Sequence, residues 1–321
     1  MSWMPTASLQ MLQLRAALLD RTRRFFAARG VLEVDTPVLV NAPVSDVHIE
    51  SAEVKLPGSE RPCFLHTSPE YAMKRLLAAG SGDIYQIARV VRGHERGRLH
   101  NPEFTLIEWY RRGLSLEELM EEVDALVREL LGHDAGHVAS ERVSWREAFV
   151  RHARLDPLEA SDATLREAAR AAGLAAESVV ASDRDGLLDH LMGTQIGPQL
   201  GRGALTFVHR YPASQAALAR LDPSDPRFAL RFELYGEGVE LANGFRELAS
   251  AVEQRARFEH DQAVRARRCL PVRPLDERLL AALAAGLPDC AGVAVGFDRV
   301  LMLAAGAVRL DDVLSFPIER A

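Results

Sequence analysis

Hydrophobic residues recur with a helical period in some stretches of the chain and with a strand period in others. Residues 8–29 place leucine and phenylalanine side chains on one helical face, and Gly30 follows as a residue typical of helix ends. Residues 31–37 then predict a strand that ends at a proline. Residues 71–79 predict a second helix, and residues 116–131 predict an amphipathic helix behind a capping serine.

The second half of the chain changes character twice. Residues 132–201 are rich in alanine, arginine and glutamate and predict a small helical insertion. Alternation typical of strands returns over residues 204–209 and 228–235. With 321 residues, the chain is as compatible with one large α/β or α+β catalytic domain carrying an insertion as with two domains.

Composition and charge narrow the class of protein. With 48% hydrophobic and 26% charged residues, the chain is typical of a soluble and well-cored globular protein. The net charge of −6 weakens the case for a nucleic-acid partner, because proteins that bind through phosphates tend to be basic. The arginine-rich run at residues 265–268 accordingly predicts a solvated helix face rather than a nucleic-acid patch.

The cysteines and the N-terminus indicate a cytoplasmic protein. Cys63, Cys269 and Cys290 are too few and too scattered for a disulfide framework or a zinc site, so we expect reduced thiols. The N-terminus lacks a basic region followed by an apolar core, and no apolar run approaches about eighteen residues. We therefore expect neither secretion nor a membrane location.

Two distant segments predict an ATP site. Residues 92–110 place arginine, histidine, asparagine, glutamate and phenylalanine side chains in a stretch that otherwise alternates like a strand, so that they can point into one cleft. Residues 292–299 form a small-residue strand that ends at Asp298 and Arg299, before an apolar helix. An arginine at such a position can bind a phosphate through two parallel hydrogen bonds.

These two segments resemble motifs 2 and 3 of the class II aminoacyl-tRNA synthetases, and the sequence His-Asn-Pro-Glu-Phe-Thr at residues 100–105 resembles that of the lysyl branch. Residues 8–37 resemble motif 1, which in the family builds a dimer interface, so a homodimer is implied. Residues 67–75 and 238–247 resemble the amino-acid loop and the metal and amino-acid segment of the lysyl enzymes. The resemblance implies an α+β fold, an antiparallel sheet flanked by helices, spanning residues 1–321 with the helical insertion at 132–201.

The chain departs from the lysyl-tRNA synthetases at its beginning. Those enzymes carry an anticodon-binding barrel before motif 1, whereas here motif 1 begins almost at the first residue, so we expect no anticodon-binding domain and no tRNA partner. A core-only chain with every motif most resembles the lysyl-tRNA synthetase paralogues that ligate a β-lysyl group to a lysine of elongation factor P. The alternative is a minimal lysyl-tRNA synthetase-like enzyme. Retention of the full set of motif residues disfavours a binding protein without activity, and the acidic pocket disfavours an aspartate-using asparagine synthetase.

The resemblance implies ATP-dependent activation of a lysine-type amino acid as an adenylate. The substrate carboxylate is already ionised at neutral pH, so the step needs fixed positive charge rather than a general base. Arg92, at the α-phosphate and substrate carboxylate, and Arg299, at the γ-phosphate, are the implied catalytic residues. Glu233 and Glu240, on adjacent strands, are the implied Mg²⁺ ligands. The other implied ATP-binding residues are Gly93, His94, Asn101, Phe104 (stacked on adenine), Leu241 and Gly296, with Glu240 shared.

A lysine-like substrate presents two ammonium groups, and the resemblance implies an acidic pocket for them. The implied substrate-binding residues are Ser68, Pro69, Glu70, Glu108, Tyr110, Asn243, Glu247 and Ala294. Glu70 faces the amino group near the carboxylate, whereas the lysyl-tRNA synthetases have glycine where Ala294 stands. The extra methyl group crowds an α-amino group and favours a β-amino acid, (R)-β-lysine being the implied substrate over α-lysine.

One position differs from the family pattern in the motif 2 loop. Family members have Arg-x-Glu there, with the glutamate near the adenine amino group, whereas this chain has His94 in the third place and Glu95 one residue later. Either Glu95 substitutes after a shift of the loop, or a backbone group binds adenine.

Overall fold

In the computed structural model, which describes residues 3–132 and 138–321, the chain divides into two units: Met1–His133 with Glu247–Ala321, and Asp134–Arg246. Residues 133–137, at the start of the predicted insertion, lie outside the described residues. The helices are α1 (Leu9–Ala27), α2 (Glu70–Ala78), α3 (Leu116–Leu131), α4 (Trp145–Ala153), α5 (Asp162–Ala171), α6 (Ala176–Ala181), α7 (Arg184–Leu191), α8 (Ala251–Arg267), α9 (Glu277–Gly286) and α10 (Phe297–Ala304). The strands are β1 (Leu32–Glu33), β2 (Leu39–Val40), β3 (Glu53–Val54), β4 (Cys63–Leu65), β5 (Ile84–Val91), β6 (Glu103–Arg112), β7 (Glu141–Ser144), β8 (Thr206–Pro212), β9 (Phe228–Gly236), β10 (Val239–Arg246) and β11 (Cys290–Gly296).

The first unit contains a sheet in the order β1-β5-β6-β11 and a small antiparallel sheet in the order β2-β4-β3. β1 runs parallel to β5, whereas β5, β6 and β11 are antiparallel neighbours. Gln86, Glu108 and Ala294 are direct cross-strand partners and therefore share one face of this sheet. The α+β class expected from the sequence is confirmed by this arrangement of strands and helices.

The helices of the first unit form where the sequence pattern predicts them. Ser8 caps α1 by accepting from the Met11 N–H, and Phe26 of that helix stacks on the core aromatic Tyr85. The helix α3 begins at a capping box made by Ser115 and Glu118 and ends at a left-handed glycine. Caps and an apolar face, both visible in the sequence, are thus sufficient to fix these helices.

The second unit combines an antiparallel set, β10-β9-β8, with β7 lying parallel to β8. The predicted insertion contains α4–α7, of which α4, α5 and α7 pack around a core of buried side chains that includes Trp145, Phe149 and Leu191. It also contains β7, which the sequence pattern did not indicate.

Two local predictions are wrong. The strand predicted over residues 31–37 is reduced to β1, and Thr36 uses its hydroxyl to donate to Gln86 rather than extending the strand. The predicted solvated face at residues 265–268 is wrong at Arg265, which is 1% exposed because its guanidinium donates to Glu50 and to the Asp46 carbonyl. Within the described part of the chain, no helix has the length and apolar character needed to cross a bilayer.

Candidate active site

The site is built on one face of the sheet in the first unit. Side chains two residues apart on a strand share a face, so Phe104, Glu108 and Tyr110 of β6 all project to the same side. Gly292 lies opposite Tyr110 on β11, and Ala294 lies opposite Glu108. The predicted aromatic, acidic and small residues are therefore brought together by register alone.

A loop and a helix N-terminus place three more predicted residues beside that face. Pro69 precedes α2, and Glu70 is the first residue of this helix, where a carboxylate is favoured by the helix dipole. The Ser68 hydroxyl accepts from the Glu70 backbone N–H at 2.9 Å and donates to Glu108 Oε2 at 2.7 Å. Ser68 thus joins the loop to the strand, and Tyr110 completes the arrangement by donating to Glu108 Oε1 at 2.8 Å.

Glu247 joins this cluster through a lysine that the sequence analysis did not single out. Lys74 Nζ donates to Glu70 Oε1 at 2.6 Å and lies 2.6 Å from Glu247 Oε2. The contact with Glu247 is a buried ion pair. The side chains of Lys74 and Glu247 are each 1% exposed, whereas that of Glu70 is 16% exposed. Glu70 is therefore the carboxylate nearest to solvent.

Burial controls protonation in this acidic cluster. Loss of hydration raises the pKa of Glu108 to about 8, and the negative charge of Glu70 adds to the shift. Burial also raises the pKa of Glu247, against the lowering effect of the Lys74 ammonium. Burial alone would lower the pKa of Lys74, but Glu247 and Glu70 together raise it above its usual value, so Lys74 remains an ammonium. A cationic ligand would lower the carboxyl pKa values and favour full ionisation.

Of the two predicted catalytic arginines, Arg92 lies in the motif 2 segment, and Arg299 of motif 3 contacts that segment. Arg92 Nε donates to the Thr67 carbonyl at 3.2 Å, next to the loop that carries Ser68, and its guanidinium carbon lies 5.1 Å from the Phe104 ring centroid. Arg299, at the start of α10, lies 2.8 Å from His100 Nε2 through a guanidinium nitrogen. Because a guanidinium only donates, His100 accepts at Nε2. Burial, followed by Arg299, lowers the pKa of His100 and keeps the ring neutral.

The departure at His94 has a structural counterpart. His94 adopts a left-handed backbone conformation with φ of 63°, which is uncommon for a residue other than glycine. Glu95 lies 3.6 Å from Arg92 as a salt-bridge partner. Gly93 is bridged to Glu50, and a Cβ on it would lie 3.2 Å from the Glu50 carbonyl oxygen. In this structure Glu95 is therefore directed towards Arg92, the predicted catalytic arginine.

A buried carboxylate ties motif 3 to motifs 1 and 2. Asp298, which is 2% exposed, accepts from the Thr105 backbone N–H at 2.7 Å and from the Arg15 guanidinium. Arg15, on α1, also donates to the Thr105 hydroxyl at 2.7 Å. Arg299 follows directly in the chain, so this network fixes the backbone from which it projects.

The C-terminal segment holds the motif 2 loop. Arg96 donates to Asp311 through both terminal nitrogens at 3.0 Å and also bonds to Glu319. The Leu310 N–H donates to the Arg98 carbonyl at 2.9 Å. Asn101, a predicted ATP-binding residue, is 3% exposed, and its side chain bonds to the Ile318 N–H and the Glu103 carbonyl. Its side chain therefore supports the loop.

Gly296 ends β11 in the first unit, opposite Leu106, and the other predicted residues lie in the second unit, on β9 and β10. Their register shifts between Glu240 and Ala242, so that Leu241 is an extra residue in a bulge. The bulge places Glu240 and Asn243 on the same face as Glu233, although they are three residues apart. Leu241 itself is buried, and its side chain is 1% exposed.

The donor set on that face suits Mg²⁺. The two glutamates offer hard carboxylate oxygens on adjacent strands, as predicted, although those of Glu233 also accept from Arg231 and Tyr235. Within the described residues no group of three or more histidine, cysteine or acidic side chains is arranged to hold a metal. A two-carboxylate site that leaves the remaining positions to phosphate oxygens is the arrangement that Mg²⁺ commonly takes beside nucleotides.

Lys74 and Arg231 are the residues that sequence reasoning missed. Arg231 donates to Glu233 and, at 3.2 Å, to Asn243 Oδ1, so it orders two predicted site residues. A signal for Lys74 existed in the sequence, because it follows Glu70 by four residues on a predicted helix. No comparable signal existed for Arg231, which is one of many strand arginines.

Comparison with known proteins gives a full-length match. A family model described as tRNA synthetases class II (D, K and N) matches residues 1–320. A protein of Pectobacterium carotovorum subsp. carotovorum (strain PC1), named elongation factor P--(R)-beta-lysine ligase, is 49% identical over 324 residues, covering 100% of this chain and 98% of the relative. Proteins of the same name from Yersinia enterocolitica and Proteus mirabilis (strain HI4320) are also 49% identical and likewise covered to 98%.

Proposed function

The chain belongs to the class II tRNA synthetases of the D, K and N group, and from this membership we propose that it is an ATP-dependent ligase that activates a lysine-type amino acid, (R)-β-lysine, and transfers it to a lysine of elongation factor P. The names of the relatives that match over nearly their whole length support the acceptor and the amino acid. The buried cluster of Glu70, Glu108 and Glu247 is the observation that carries the proposal for this chain. Such a cluster suits a substrate with two ammonium groups.

The first half-reaction is the formation of an adenylate. A carboxylate oxygen of the amino acid attacks the α-phosphorus of ATP, the bond to the β-phosphate oxygen breaks, and pyrophosphate leaves. Arg92 neutralises charge at the α-phosphate and the attacking carboxylate, and Arg299 neutralises charge at the γ-phosphate. Neutral His100 accepts from Arg299 and holds its guanidinium. Mg²⁺ held by Glu233 and Glu240, when bound, supplies further charge neutralisation.

The second half-reaction transfers the activated group. The unprotonated amine of the acceptor lysine attacks the carbonyl carbon of the adenylate, the bond from that carbon to the phosphate oxygen breaks so that AMP leaves, and the nitrogen releases one proton to solvent as the amide bond forms. The amino acid stays in place because its ammonium groups face carboxylates, while Phe104, beside Arg92, offers a flat surface for adenine. We propose that the enzyme works in the cytoplasm as a homodimer and does not charge tRNA.

Pyrophosphate exchange with a panel of amino acids tests the activation step. We expect exchange with (R)-β-lysine, weaker exchange with α-lysine and none with aspartate. The variants Arg92→Ala and Arg299→Ala are each expected to lose about 100-fold or more in rate, because each removes a charge that meets the transition state. Arg227→Ala, which removes a guanidinium from an exposed turn, is the matched control and should keep the parent rate.

Acceptor choice is tested with the same protein and two acceptors. Radiolabelled amino acid and ATP are incubated with elongation factor P or with tRNA, and we expect label on the factor alone. Robust charging of tRNA with no label on the factor would instead favour a minimal lysyl-tRNA synthetase.

In the pyrophosphate-exchange test, rates for Arg92→Ala and Arg299→Ala equal to those of the parent would overturn the assignment of these arginines to the phosphates of ATP.

A further inference from the structure

We infer that Lys74 is a positioning residue of the amino-acid pocket. Its ammonium holds Glu70 and Glu247 as a pair and thereby fixes both the direction and the net charge of the surface that receives the substrate's ammonium groups. The inference rests on the proposed function, since it concerns the same pocket.

The geometry gives Lys74 a central place between two elements. Glu70 and Lys74 are four residues apart on α2, with the acidic residue on the N-terminal side, which is the favourable order for such a pair. Glu247 comes from a separate segment and is held there by its backbone N–H, which donates to the Cys290 carbonyl at 3.1 Å. Lys74 is thus the described cation that joins the two carboxylates.

The pair leaves a carboxylate oxygen available for a ligand. Lys74 contacts one oxygen of Glu70, and that side chain is 16% exposed, whereas Lys74 itself is 1% exposed. Glu247 Oε2 contacts the Lys74 ammonium at 2.6 Å, so its charge is compensated although it is buried. The second oxygen of Glu70 is not the one that Lys74 contacts, and an ammonium group of the substrate can donate to it.

The identity of the residue supports a specific role. The sequence has 39 lysine and arginine residues together, and Lys55 and Lys74 are its two lysines. Arginine is thus the basic residue at every other lysine or arginine position, including the buried position of Arg265. A lysine ammonium is compact and can contact two carboxylates at once, whereas a guanidinium is planar and larger. The space at this site is small, because a Cβ added to Gly292 would lie 2.5 Å from Glu247 Oε1.

Through its charge, Lys74 also affects which substrate the pocket prefers. When Glu70, Glu108 and Glu247 are all ionised, the Lys74 charge leaves a net charge of two negatives, which matches a substrate with two ammonium groups. Without Lys74 the three carboxylates would repel one another. They would then bind protons instead of being held in place by the ion pairs with Lys74. A lysine that only stabilised the fold would, when removed, lower the free energy of unfolding without changing the substrate affinity of the folded protein.

The test compares Lys74→Met with Lys55→Met, which removes an exposed lysine. In pyrophosphate exchange we expect Lys74→Met to raise the KM for (R)-β-lysine on the order of 30-fold, the cost of losing a charged hydrogen-bond arrangement, while the KM for ATP stays unchanged. Lys55→Met should match the parent in both. Equal KM values for (R)-β-lysine in parent and Lys74→Met would overturn the inference.

Two further measurements keep the inference testable in every case. If Lys74→Met does not fold, Lys74→Arg keeps the charge but changes its shape, and a parent-like KM for (R)-β-lysine in that variant would refute the positioning role. Calorimetric binding of (R)-β-lysine without ATP separates this inference from the proposed function. A parent that binds (R)-β-lysine but supports no exchange contradicts the function, whereas undiminished binding by Lys74→Met contradicts the role of Lys74.

Discussion

At the scale of single residues, the methyl group of Ala294 lies directly opposite Glu108 and on the same face of the sheet. Ala294 packs against the buried cluster of Ala88, Val90 and Leu106, which Phe104 also contacts, so it lies between the residue predicted to stack on adenine and the acidic cluster. A substrate amino group that approaches Glu70 from the α-carbon would be crowded there, whereas one on the β-carbon is displaced from the methyl group.

We expect Ala294→Gly to raise activation of α-lysine relative to (R)-β-lysine by about tenfold, since one methyl group in a tight pocket contributes about 1–3 kcal/mol of discrimination. The measurement is the ratio of kcat/KM values in pyrophosphate exchange. Ala291→Gly is the matched control, because Ala291 lies on the same strand but faces the opposite side. An unchanged ratio in Ala294→Gly would place the selectivity elsewhere.

Glu108 makes stability depend on pH. Its pKa is raised from 4.5 to about 8 in the folded protein, so between these values the folded state binds more protons than the unfolded state. Its contribution is therefore complete below the unfolded pKa and is lost as the pH rises through about 8. We expect the free energy of unfolding to fall by about 3–4 kcal/mol between pH 5 and pH 8. Urea denaturation of Glu108→Gln should show a shallower dependence, and Glu167→Gln, at an exposed position, should not.

Sequence reasoning was most successful for residues that act through charge at recognisable spacings. Glu70, Glu108, Tyr110 and Glu247 were predicted to form one acidic pocket, and the structure brings them together. The sequence alone could not indicate the role of Lys74, because its partner Glu247 is distant in sequence and the two residues pair only in the folded chain. Nor could it indicate that the Cβ of a residue at position 292 would collide with Tyr110.

At the scale of elements, helices that are fixed by interactions between nearby residues were predicted well, whereas strands that depend on distant pairing partners were not. The helix α3 was predicted to the residue, because its capping box and apolar face are local. The strand β1 is short, since its extent depends on pairing with β5, which the sequence pattern does not report. The bulge at Leu241 was likewise invisible, because it exists only in the register between two strands.

The C-terminal segment is expected to set ATP affinity by holding the motif 2 loop. Arg96→Ala removes the bonds to Asp311 and Glu319, so the loop should sample other conformations and the KM for ATP should rise about fivefold to tenfold, as for the loss of about 1–1.5 kcal/mol of hydrogen bonding. Arg309→Ala removes a guanidinium that pairs with the same Asp311 without contacting the loop, and it should leave the KM for ATP unchanged. Equal KM values for ATP in Arg96→Ala and the parent would contradict the expectation.

At the scale of the whole molecule, the motif 1 region leaves apolar side chains exposed. Leu9 is 71% exposed and Leu32 56%, both within the segment predicted to form a dimer interface, and Val38 (43%) and Leu39 (40%) follow that segment directly. Apolar side chains that a monomer would leave in water are typical of a surface that another chain covers.

We expect multi-angle light scattering at micromolar concentration to return twice the 35.4 kDa mass of one chain, as a twofold-symmetric pair of these surfaces would give. Leu39→Asp should shift the mass towards that of one chain, because it places a charge in the covered surface. Val252→Asp, at an exposed apolar position outside motif 1, serves as the control and should not. A monomer mass for the parent would contradict the dimer.

An aminoacyl adenylate acylates any unprotonated amine within reach, including amines of the protein that makes it. In the proposed function Lys74 lies beside the place where this mixed anhydride forms, and two carboxylates hold it as an ammonium without a lone pair to attack. The only other lysine of the sequence, Lys55, is exposed. When the enzyme is left with ATP and amino acid but no acceptor, peptide mass spectrometry should therefore find acylated side-chain amines at Lys55 and none at Lys74. The ion pair that shapes the pocket thus also makes its own lysine inert to the product of the first step.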